Sequence, residues 1–181
     1  MICVFLASGF EEIEALTVVD YLRRAELEVF TVGIGGKLIT GAHNITVFCD
    51  LDESEVKLDE SLEAVVLPGG MPGTLNLERS QTVKAAIEYC TENDRYICAI
   101  CAAPSILGHM GILNGKKACC FPGFENELEG AEVSDAFVCT DGKIITAKGM
   151  GAAIDFSEEI TSRLINKNKA KRIKESLQCP Y

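Results

Sequence analysis

The sequence predicts an α/β fold in which a mostly parallel β-sheet is covered by helices on both faces. Strand-like and helix-like segments alternate along the chain, and the strand-like segments are continuously apolar, as in strands that are buried on both sides. The 181 residues contain no linker, low-complexity tract or internal repeat. We therefore expect a single domain that spans residues 1–181.

The first quarter of the chain is predicted to form four strands and one helix. Residues 2–7 are a continuous apolar strand, and residues 12–25 follow as a helix with one apolar stripe. The predicted stripe consists of Ile13, Leu16, Val19 and Leu22. The remaining predicted strands are 28–33, 38–40 and 45–48. We expect the last two to pair antiparallel.

The middle of the chain repeats the strand–helix alternation. Its predicted strands are 64–67 and 96–100, and its predicted helices are 80–93 and 102–110. The first of these strands ends at Pro68-Gly69-Gly70, and the second leads directly into Cys101. Ser80 is a suitable N-cap for the longer helix. Pro104 lies in the first turn of the shorter helix, where its missing N–H costs nothing.

The last third of the chain closes the fold. Its predicted strands are 117–120, 137–140 and 143–147, and its predicted helices are 152–164 and 169–177. Asp141-Gly142 is a strong hairpin signal between the last two strands. Ligands of open parallel sheets bind beyond the carboxyl ends of the strands. We therefore expect a site at the loops that follow residues 2–7, 64–67 and 96–100.

Composition and charge exclude several classes of protein. The formal net charge is −10, from 17 basic and 27 acidic residues, which argues against a stable nucleic-acid partner. Residues 167–174 are the one basic cluster, and we interpret them as a solvated face of the last helix. No apolar run reaches the roughly 18 residues that cross a membrane.

The cysteines indicate a reducing compartment. The chain contains nine, an odd number with irregular spacing, and its N-terminal segment lacks the basic region of a secretory signal. We therefore expect free thiols and a cytoplasmic protein rather than a disulfide framework. Most of these thiols should be small buried hydrophobic groups.

Cys101 is the leading candidate for a reactive residue. It lies between a buried strand and a helix that begins with small residues, and this pattern resembles a nucleophile elbow. A thiol at a helix N-terminus has its anionic form favoured by the helix dipole and the free N–H groups. A plain buried cysteine remains the alternative that spacing alone leaves open.

Two backbone N–H groups and one carboxyl are candidates for partners of this thiol. The N–H groups of Gly70 and Ala102 could together stabilise an oxyanion on a substrate carbonyl. Of the acids that open the first helix, Glu11, Glu12 and Glu14, one could face the site and have its pKa raised by burial. The alternatives are a plain turn after a strand and acids that cap the helix.

Four motifs, in this order, resemble those of the ThiJ/PfpI superfamily, within the branch of the Parkinsonism-associated deglycase and its bacterial relatives. They are 7–14 (ASGFEEIE), 66–70 (VLPGG), 99–104 (AICAAP) and 149–156 (GMGAAIDF). The resemblance covers nearly the whole chain. It implies a flavodoxin-like (Rossmann-type) three-layer sandwich, usually a homodimer with Arg24 near the interface.

The resemblance also implies the roles of the site residues. Cys101 would be the nucleophile, Glu14 the carboxyl that contacts it, and Gly70 and Ala102 the sources of the oxyanion N–H groups. The activities it implies need no cofactor and no metal: glyoxalase III conversion of methylglyoxal to lactate, or deglycation of early aldehyde adducts on proteins and nucleotides. A redox sensor or holdase chaperone with the same oxidisable cysteine is the alternative, and an unknown hydrolase is a third.

The chain departs from the family pattern at two places. Some members have a histidine where Phe121 stands here, and the family's Gly-Pro-Gly is Gly149-Met150-Gly151. Neither His43 nor His109 matches the family histidine, so we interpret both as ordinary surface or core residues. Proton transfer would then depend on Glu14.

The other cysteines carry weaker signals. Cys98 and Cys101 form a C-x-x-C, but Cys98 falls within a predicted strand, so we do not expect a redox dithiol. A zinc site built from these two residues with Cys119 and Cys120 lacks a second C-x-x-C. Cys49 lies near a position where the family has a peripheral oxidisable thiol, and we interpret it as an ordinary cysteine.

Overall fold

A seven-stranded mixed sheet forms the centre of the computed structural model, which describes residues 1–179. The strands are β1 (Ile2–Leu6), β2 (Val29–Gly33), β3 (Leu38–Thr40), β4 (Thr46–Phe48), β5 (Leu51–Asp52), β6 (Ala64–Leu67), β7 (Tyr96–Ile100), β8 (Lys117–Ala118), β9 (Glu132–Val133), β10 (Val138–Asp141) and β11 (Ile144–Ala147). The helices are α1 (Glu12–Arg24), α2 (Gly73–Arg79), α3 (Gln81–Glu92), α4 (Pro104–His109), α5 (Ala153–Leu164) and α6 (Lys167–Ser176).

The strand order of the main sheet is β10-β11-β7-β6-β1-β2-β5. Every neighbouring pair is parallel except β10 and β11, which form an antiparallel hairpin. Because β1, β6 and β7 are adjacent and parallel, their carboxyl ends meet at one edge of the sheet. The predicted flavodoxin-like three-layer architecture is confirmed, and so is the antiparallel pairing of β3 with β4.

The alternation of side chains along the strands separates two apolar layers. In β1, β6 and β7, Val4, Val66 and Ile100 face the layer formed by α1 and α5. Their neighbours in sequence face the opposite layer, formed by α3 and α4. The sheet is therefore buried on both faces, which explains its uninterrupted apolar strands.

Several predicted boundaries and one predicted face are wrong. The strand predicted at 117–120 is only β8, and α2, β5 and β9 were not predicted. On α1, Ile13 and Leu16 are 51% and 37% exposed, so they do not belong to the buried stripe. That stripe consists of Ala15, Val18, Val19, Tyr21 and Leu22. The shift places Glu14, rather than Ile13, against the edge of the sheet.

The basic last helix is partly neutralised by its neighbour. Lys174 of α6 forms ion pairs with Asp155 and Glu158 of α5, so its charge faces protein rather than solvent. Within residues 1–179, no helix combines the length and the apolar character that crossing a bilayer requires.

Candidate active site

Cys101 occupies a strained turn between β7 and α4. Its φ is +65°, a left-handed conformation that non-glycine residues rarely adopt. Two hydrogen bonds hold it there: its N–H donates to the carbonyl of Ala147 at 2.9 Å, and its carbonyl accepts from the N–H of Phe121 at 2.8 Å. The sharp turn predicted at Cys101 is therefore present, and strain of this kind is typical of functional positions.

Glu14 lies beside the thiol with its side chain out of solvent. The residue is 1% exposed, and the Gly69 N–H donates to its Oε2 at 2.9 Å. The carboxyl also lies beside the Cys101 thiol, and each group shifts the pKa of the other. A Cβ at Gly69 would lie 2.6 Å from the Cys101 Cβ and 2.7 Å from that Oε2, so only glycine leaves room for this pair.

Two backbone N–H groups lie near the sulfur, and both were predicted from the sequence. Those of Gly70 and Ala102 both lower the pKa of the Cys101 thiol. Gly70 has a φ of +90°, and a Cβ there would lie 2.3 Å from the backbone nitrogen of Glu11. The structure thus brings together Cys101, Glu14, Gly70 and Ala102, the four residues singled out from the sequence.

The thiol and the carboxyl titrate as a pair. Burial raises the pKa of Glu14 to about 7. Burial, the neighbouring Glu14 charge and the hydrogen bond to it raise the pKa of Cys101 to about 12, although the Ala102 and Gly70 N–H groups act in the opposite direction. Two coupled sites lose protons in steps that belong to the pair. Above about pH 7 the pair holds one proton, which resides mainly on the sulfur.

This result corrects one expectation. The helix N-terminus and the two N–H groups predict a thiol whose ionised form is favoured, but burial and the Glu14 charge outweigh them. Moving the shared proton onto Glu14 exposes a thiolate to the Gly70 and Ala102 N–H groups. The sulfur therefore becomes a nucleophile through its neighbour rather than by itself.

The thiol opens into a pocket of about 540 Å³. Its lining consists of Glu11, Glu12, Ile13, Glu14, His43, Ile45, Gly70, Cys101, Phe121 and Met150. Four of these side chains are large and apolar, so the pocket has an apolar wall above a polar floor. A small substrate with one or two polar atoms would fit such a pocket.

Phe121 and Gly149 set the width of the pocket near the sulfur. A Cβ at Gly149 would lie 3.1 Å from the Phe121 ring and 3.9 Å from the Cys101 sulfur. Gly149 has an extended φ of 163°, and Met150 begins a short 3₁₀ turn that leads into α5. The Gly149-Met150-Gly151 sequence therefore keeps the approach to the sulfur open on this side.

His43, which we interpreted as an ordinary surface or core residue, is largely exposed but is close to the site. It lies on the loop between β3 and β4 and lines the same pocket as Cys101. Its Nδ1 is 3.0 Å from Oε2 of Glu12, whose side chain is almost completely buried. Residues 12 and 43 are 31 positions apart, and no local pattern links them. Only the position of the β3–β4 hairpin brings them together.

Glu12 and His43 are both stabilised in their charged forms. Although burial opposes ionisation, hydrogen bonds from the His43 ring and from backbone N–H groups lower the pKa of Glu12. The hydrogen bond to Glu12, with the charges of Glu11 and Glu12, raises the pKa of His43. This acid–base pair was missed by the sequence analysis.

His109 lies outside the pocket, as expected for an ordinary residue. Its two ring nitrogens contact Glu78 of α2 and Glu127 of the loop before β9. Those contacts raise the pKa of His109. Arg24, predicted from the resemblance to lie near an interface, forms an exposed ion pair with Asp20 one turn earlier on α1.

One group in the described chain could hold a metal ion. One ligand atom each from Glu11, Glu12 and His43 lies within 4.8 Å of the others. Within residues 1–179, Cys98, Cys101, Cys119 and Cys120 do not form such a group. The hydrogen bond between Glu12 and His43 accounts for their proximity without a metal.

The other cysteines are unsuited to redox chemistry with Cys101. All nine thiols are free, and Cys98 is completely buried, which raises its pKa well above the usual value. Cys49 is buried as well, with a raised pKa. Within residues 1–179, Cys101 is the cysteine that lines the pocket beside Glu14.

Comparison with known proteins identifies the family. The model of the DJ-1/PfpI family matches residues 1–163. The chain is 32% identical to protein dj-1beta of Drosophila melanogaster, over 98% of this chain and 96% of that protein. It is 29% identical to a deglycase of Pyrococcus abyssi, over 90% of this chain and 98% of that protein. The solved structure of Toxoplasma gondii DJ-1, described as oxidized, has a TM-score of 0.95 at 32% identity and covers 99% of this chain and 98% of that one. The chain belongs to the DJ-1/PfpI family.

Proposed function

We propose that the protein is a cofactor-independent enzyme for small α-oxoaldehydes such as methylglyoxal, or for the adducts that they form on proteins and nucleotides. The observation that carries this proposal is the Cys101–Glu14 pair, which holds one proton at the floor of a pocket of about 540 Å³. The relative named as a deglycase supports the same chemistry.

The first step is attack of the sulfur on the aldehyde carbon. As the S–C bond forms, the shared proton passes through Glu14 to the aldehyde oxygen and gives a neutral hemithioacetal. The N–H groups of Gly70 and Ala102 stabilise the negative charge that develops on that oxygen. Glu14 is left as a carboxylate, which is the form that the next step needs.

The second step moves a proton from one substrate carbon to the next. Glu14 removes the hydrogen of the former aldehyde carbon as a proton and returns it to the adjacent carbon through an enediol. The result is a thioester on Cys101, which water hydrolyses to the hydroxy acid and free thiol. A carboxyl with a pKa of about 7 suits both directions of this transfer near neutral pH.

Lactate production from methylglyoxal by the pure protein tests this proposal. We expect turnover by the wild type and none by Cys101→Ala or Glu14→Ala. Cys179→Ser, which removes a partly exposed thiol outside the pocket, should retain full activity. Lactate formation that survives both site substitutions would reject the mechanism. Release of free amine from a methylglyoxal-treated peptide separates deglycation from simple aldehyde conversion.

A second candidate function is redox sensing, with or without holdase chaperone activity. The same sulfur, facing two N–H groups and a carboxyl, would react with two molecules of hydrogen peroxide. Each peroxide transfers one oxygen and leaves as water, giving first the sulfenate and then the sulfinate. The similar Toxoplasma gondii structure described as oxidized favours this candidate.

Intact-mass analysis after mild peroxide treatment separates the two functions. Gain of two oxygens at Cys101 without lactate production would favour a sensor. Suppression of the aggregation of a model client by the oxidised form, but not by the reduced form, would add a chaperone role.

We also propose that the chain forms a homodimer, as the family resemblance implies. The exposed apolar side chains of Ile13 and Leu16 on α1 support an interface on this helix. Light scattering after size exclusion should give twice the chain mass for the wild type. Leu16→Asp should shift that mass to a monomer, and a wild-type monomer at micromolar concentration would contradict the proposal.

We also propose a cytoplasmic location, on the basis of the free cysteines. Nine free thiols suit a reducing compartment. Fractionation of cells that express the tagged chain would test it, with recovery in the cytosolic fraction as the expected result.

A further inference from the structure

The pocket contains one residue able to carry a positive charge. Its lining includes three glutamates but no lysine or arginine, and His43 is the single imidazole. Phe121, which lines the same pocket, has no proton to give. Beyond the Cys101–Glu14 pair, His43 is therefore the pocket side chain that can donate a proton as a cation.

The loop that carries His43 is fastened to Glu12 at several points. The backbone N–H of His43 donates to Oε1 of Glu12 at 2.7 Å, and that of Ile45 reaches the same oxygen at 3.4 Å. The other oxygen, Oε2, contacts the His43 ring at Nδ1. A Cβ at Gly41 would lie 2.3 Å from Oε1, so the loop closes over the carboxylate only because residue 41 is glycine.

This arrangement orients the ring rather than merely capping a helix. An acid in the first turn would interact with the helix dipole equally well from an exposed position. Here the Glu12 side chain is 4% exposed, whereas the His43 side chain is 70% exposed. A buried carboxylate that holds Nδ1 fixes the tautomer and leaves Nε2 as the other proton-transfer atom, as in catalytic triads.

The charges around the ring favour its protonated form. Glu11 lies 3.6 Å from Nδ1 and Glu12 3.0 Å, and Cys101 and Glu14 line the same pocket. Together with the hydrogen bond to Glu12, the charges of Glu11 and Glu12 raise the pKa of His43. The protonated ring is therefore held beside Glu12, where it can donate a proton into the pocket.

We propose that His43 is a second acid–base residue, which acts on the oxygen of the carbonyl next to the carbon attacked by Cys101. Glu12 is its positioning residue. This inference rests on the α-oxoaldehyde function proposed above and extends it to substrates with two adjacent oxygen-bearing carbons. His43 thus distinguishes a dicarbonyl from a simple aldehyde, which offers no second oxygen.

The protons balance through one catalytic cycle. As Glu14 removes the hydrogen of the attacked carbon, His43 gives its proton to the neighbouring carbonyl oxygen, and an enediol forms. Glu14 then returns its proton to the neighbouring carbon. The hydroxyl on the attacked carbon gives its proton back to His43 as the thioester carbonyl forms, so both residues end in their starting states.

Steady-state lactate production from methylglyoxal by His43→Ala, with His109→Gln as a matched histidine control, tests this role. We expect kcat to fall about 10²-fold for His43→Ala and to stay unchanged for His109→Gln. Because His43 is largely exposed, added imidazole should restore part of the lost rate. A merely structural role would show no such rescue.

A second measurement distinguishes a loss of catalysis from a loss of folding or of Cys101 reactivity. The rate at which iodoacetamide alkylates Cys101 should be equal in the wild type and in His43→Ala, which would show an intact elbow and pocket. Glu12→Gln should lower kcat and change the pH profile. In the His43→Ala background, Glu12→Gln should have no further effect on kcat, since a positioning residue acts through the ring.

The outcomes distinguish the inference from the function on which it rests. A wild type that makes lactate with an unchanged rate in His43→Ala would overturn the inference alone. A wild type whose Cys101 is alkylated normally but makes no lactate would reject the proposed function and the inference with it. Loss of lactate production without imidazole rescue, with normal alkylation of Cys101, would also overturn the acid–base role.

Discussion

Two glutamates on the same helical turn behave in opposite ways. Glu12 and Glu14 are 3% and 1% exposed, yet the pKa of Glu12 is lowered and that of Glu14 is raised to about 7. Burial opposes ionisation at both positions. At Glu12 the hydrogen bonds from the His43 ring and from backbone N–H groups outweigh burial. At Glu14 the hydrogen bonds from Cys101 and Gly69 do not outweigh burial and the Glu11 charge. The balance between burial and hydrogen bonds decides which form a buried carboxyl takes.

The two pairs of residues in the pocket therefore have different roles. The floor pair, Cys101 and Glu14, holds a proton that it can move, which suits bond formation. Glu12 and His43, at the exposed rim of the pocket, form an ion pair that holds the His43 ring in place. The four predictions below would break or sharpen this division, and they run from the largest expected effect to the smallest.

Removal of the Glu14 carboxylate, the base at the floor of the pocket, should have the largest effect on turnover. Glu14→Gln keeps the size of the side chain but cannot accept a proton, so we expect turnover of methylglyoxal to fall about 10³-fold. Glu12→Gln should lower it by only about 10-fold, because it acts through His43. Initial rates at saturating substrate measure both variants. Equal losses in the two variants would show that floor and rim do not differ in role.

The stability of the fold should depend on Glu14 in a defined pH range. Its pKa is raised from 4.5 in the unfolded chain to about 7, so the folded state binds the proton more tightly, and stability falls as pH rises between those values. Glu14→Gln removes this loss and should raise the free energy of unfolding by about 3 kcal/mol at pH 8.

Urea unfolding of the wild type and Glu14→Gln at pH 4 and pH 8 measures this difference. The gain should be present at pH 8 and nearly absent at pH 4, where the wild-type carboxyl is protonated in both states. A gain of the same size at both pH values would assign it to packing instead of charge. A catalytic carboxyl held at the cost of stability is a common trade-off in active sites.

The reactivity of the Cys101 thiol should increase when the Cys101–Glu14 pair holds one proton instead of two. We expect the alkylation rate of Cys101 to rise as pH passes about 7, since loss of the first proton allows Glu14 to take the proton of the thiol. In Glu14→Gln this rise should disappear. Mass analysis of the peptide that contains Cys101, after short exposure to iodoacetamide, measures the rate. An unchanged pH profile in the variant would contradict the shared proton.

The smallest effect should be a change in the titration of one histidine. The chain has two histidines, so the imidazole protons of His43 and His109 can be followed separately by NMR. Glu12→Gln should move the pKa of His43 down toward the usual value, because the variant removes a hydrogen-bonded negative charge. His109, which contacts Glu78 and Glu127, should titrate unchanged. Equal shifts in both would indicate a general effect on the protein.

Much of the fold could be predicted because the sheet is buried on both faces. Uninterrupted apolar segments such as 64–67 and 96–100 mark such strands, and the alternation with helices sets their parallel order. The shorter elements α2 and β5 carry no strong pattern. The face of α1 was assigned wrongly because Ile13 and Leu16 fit an apolar stripe equally well, and only the packed sheet shows which stripe is covered.

The site was partly predictable for a similar reason. A cysteine between a buried strand and a helix beginning with Ala-Ala-Pro is a local pattern, so Cys101 and the N–H of Ala102 could be found directly. Glu14 was distinguished from its neighbours only through the family resemblance. The Glu12–His43 pair depends on a hairpin whose position no local signal gives, and the raised pKa of Cys101 depends on the packing around it.

The absence of a side chain at residue 149 has a consequence for the choice of substrate. The extended backbone of Gly149 could accommodate any amino acid, so the glycine is not required by chain geometry. A single added methyl group there would meet the ring of Phe121 and narrow the aperture above the sulfur. Gly149→Ala should therefore exclude branched aldehydes before it excludes methylglyoxal, and one carbon atom at this position would tune the size range of the molecules that the protein accepts.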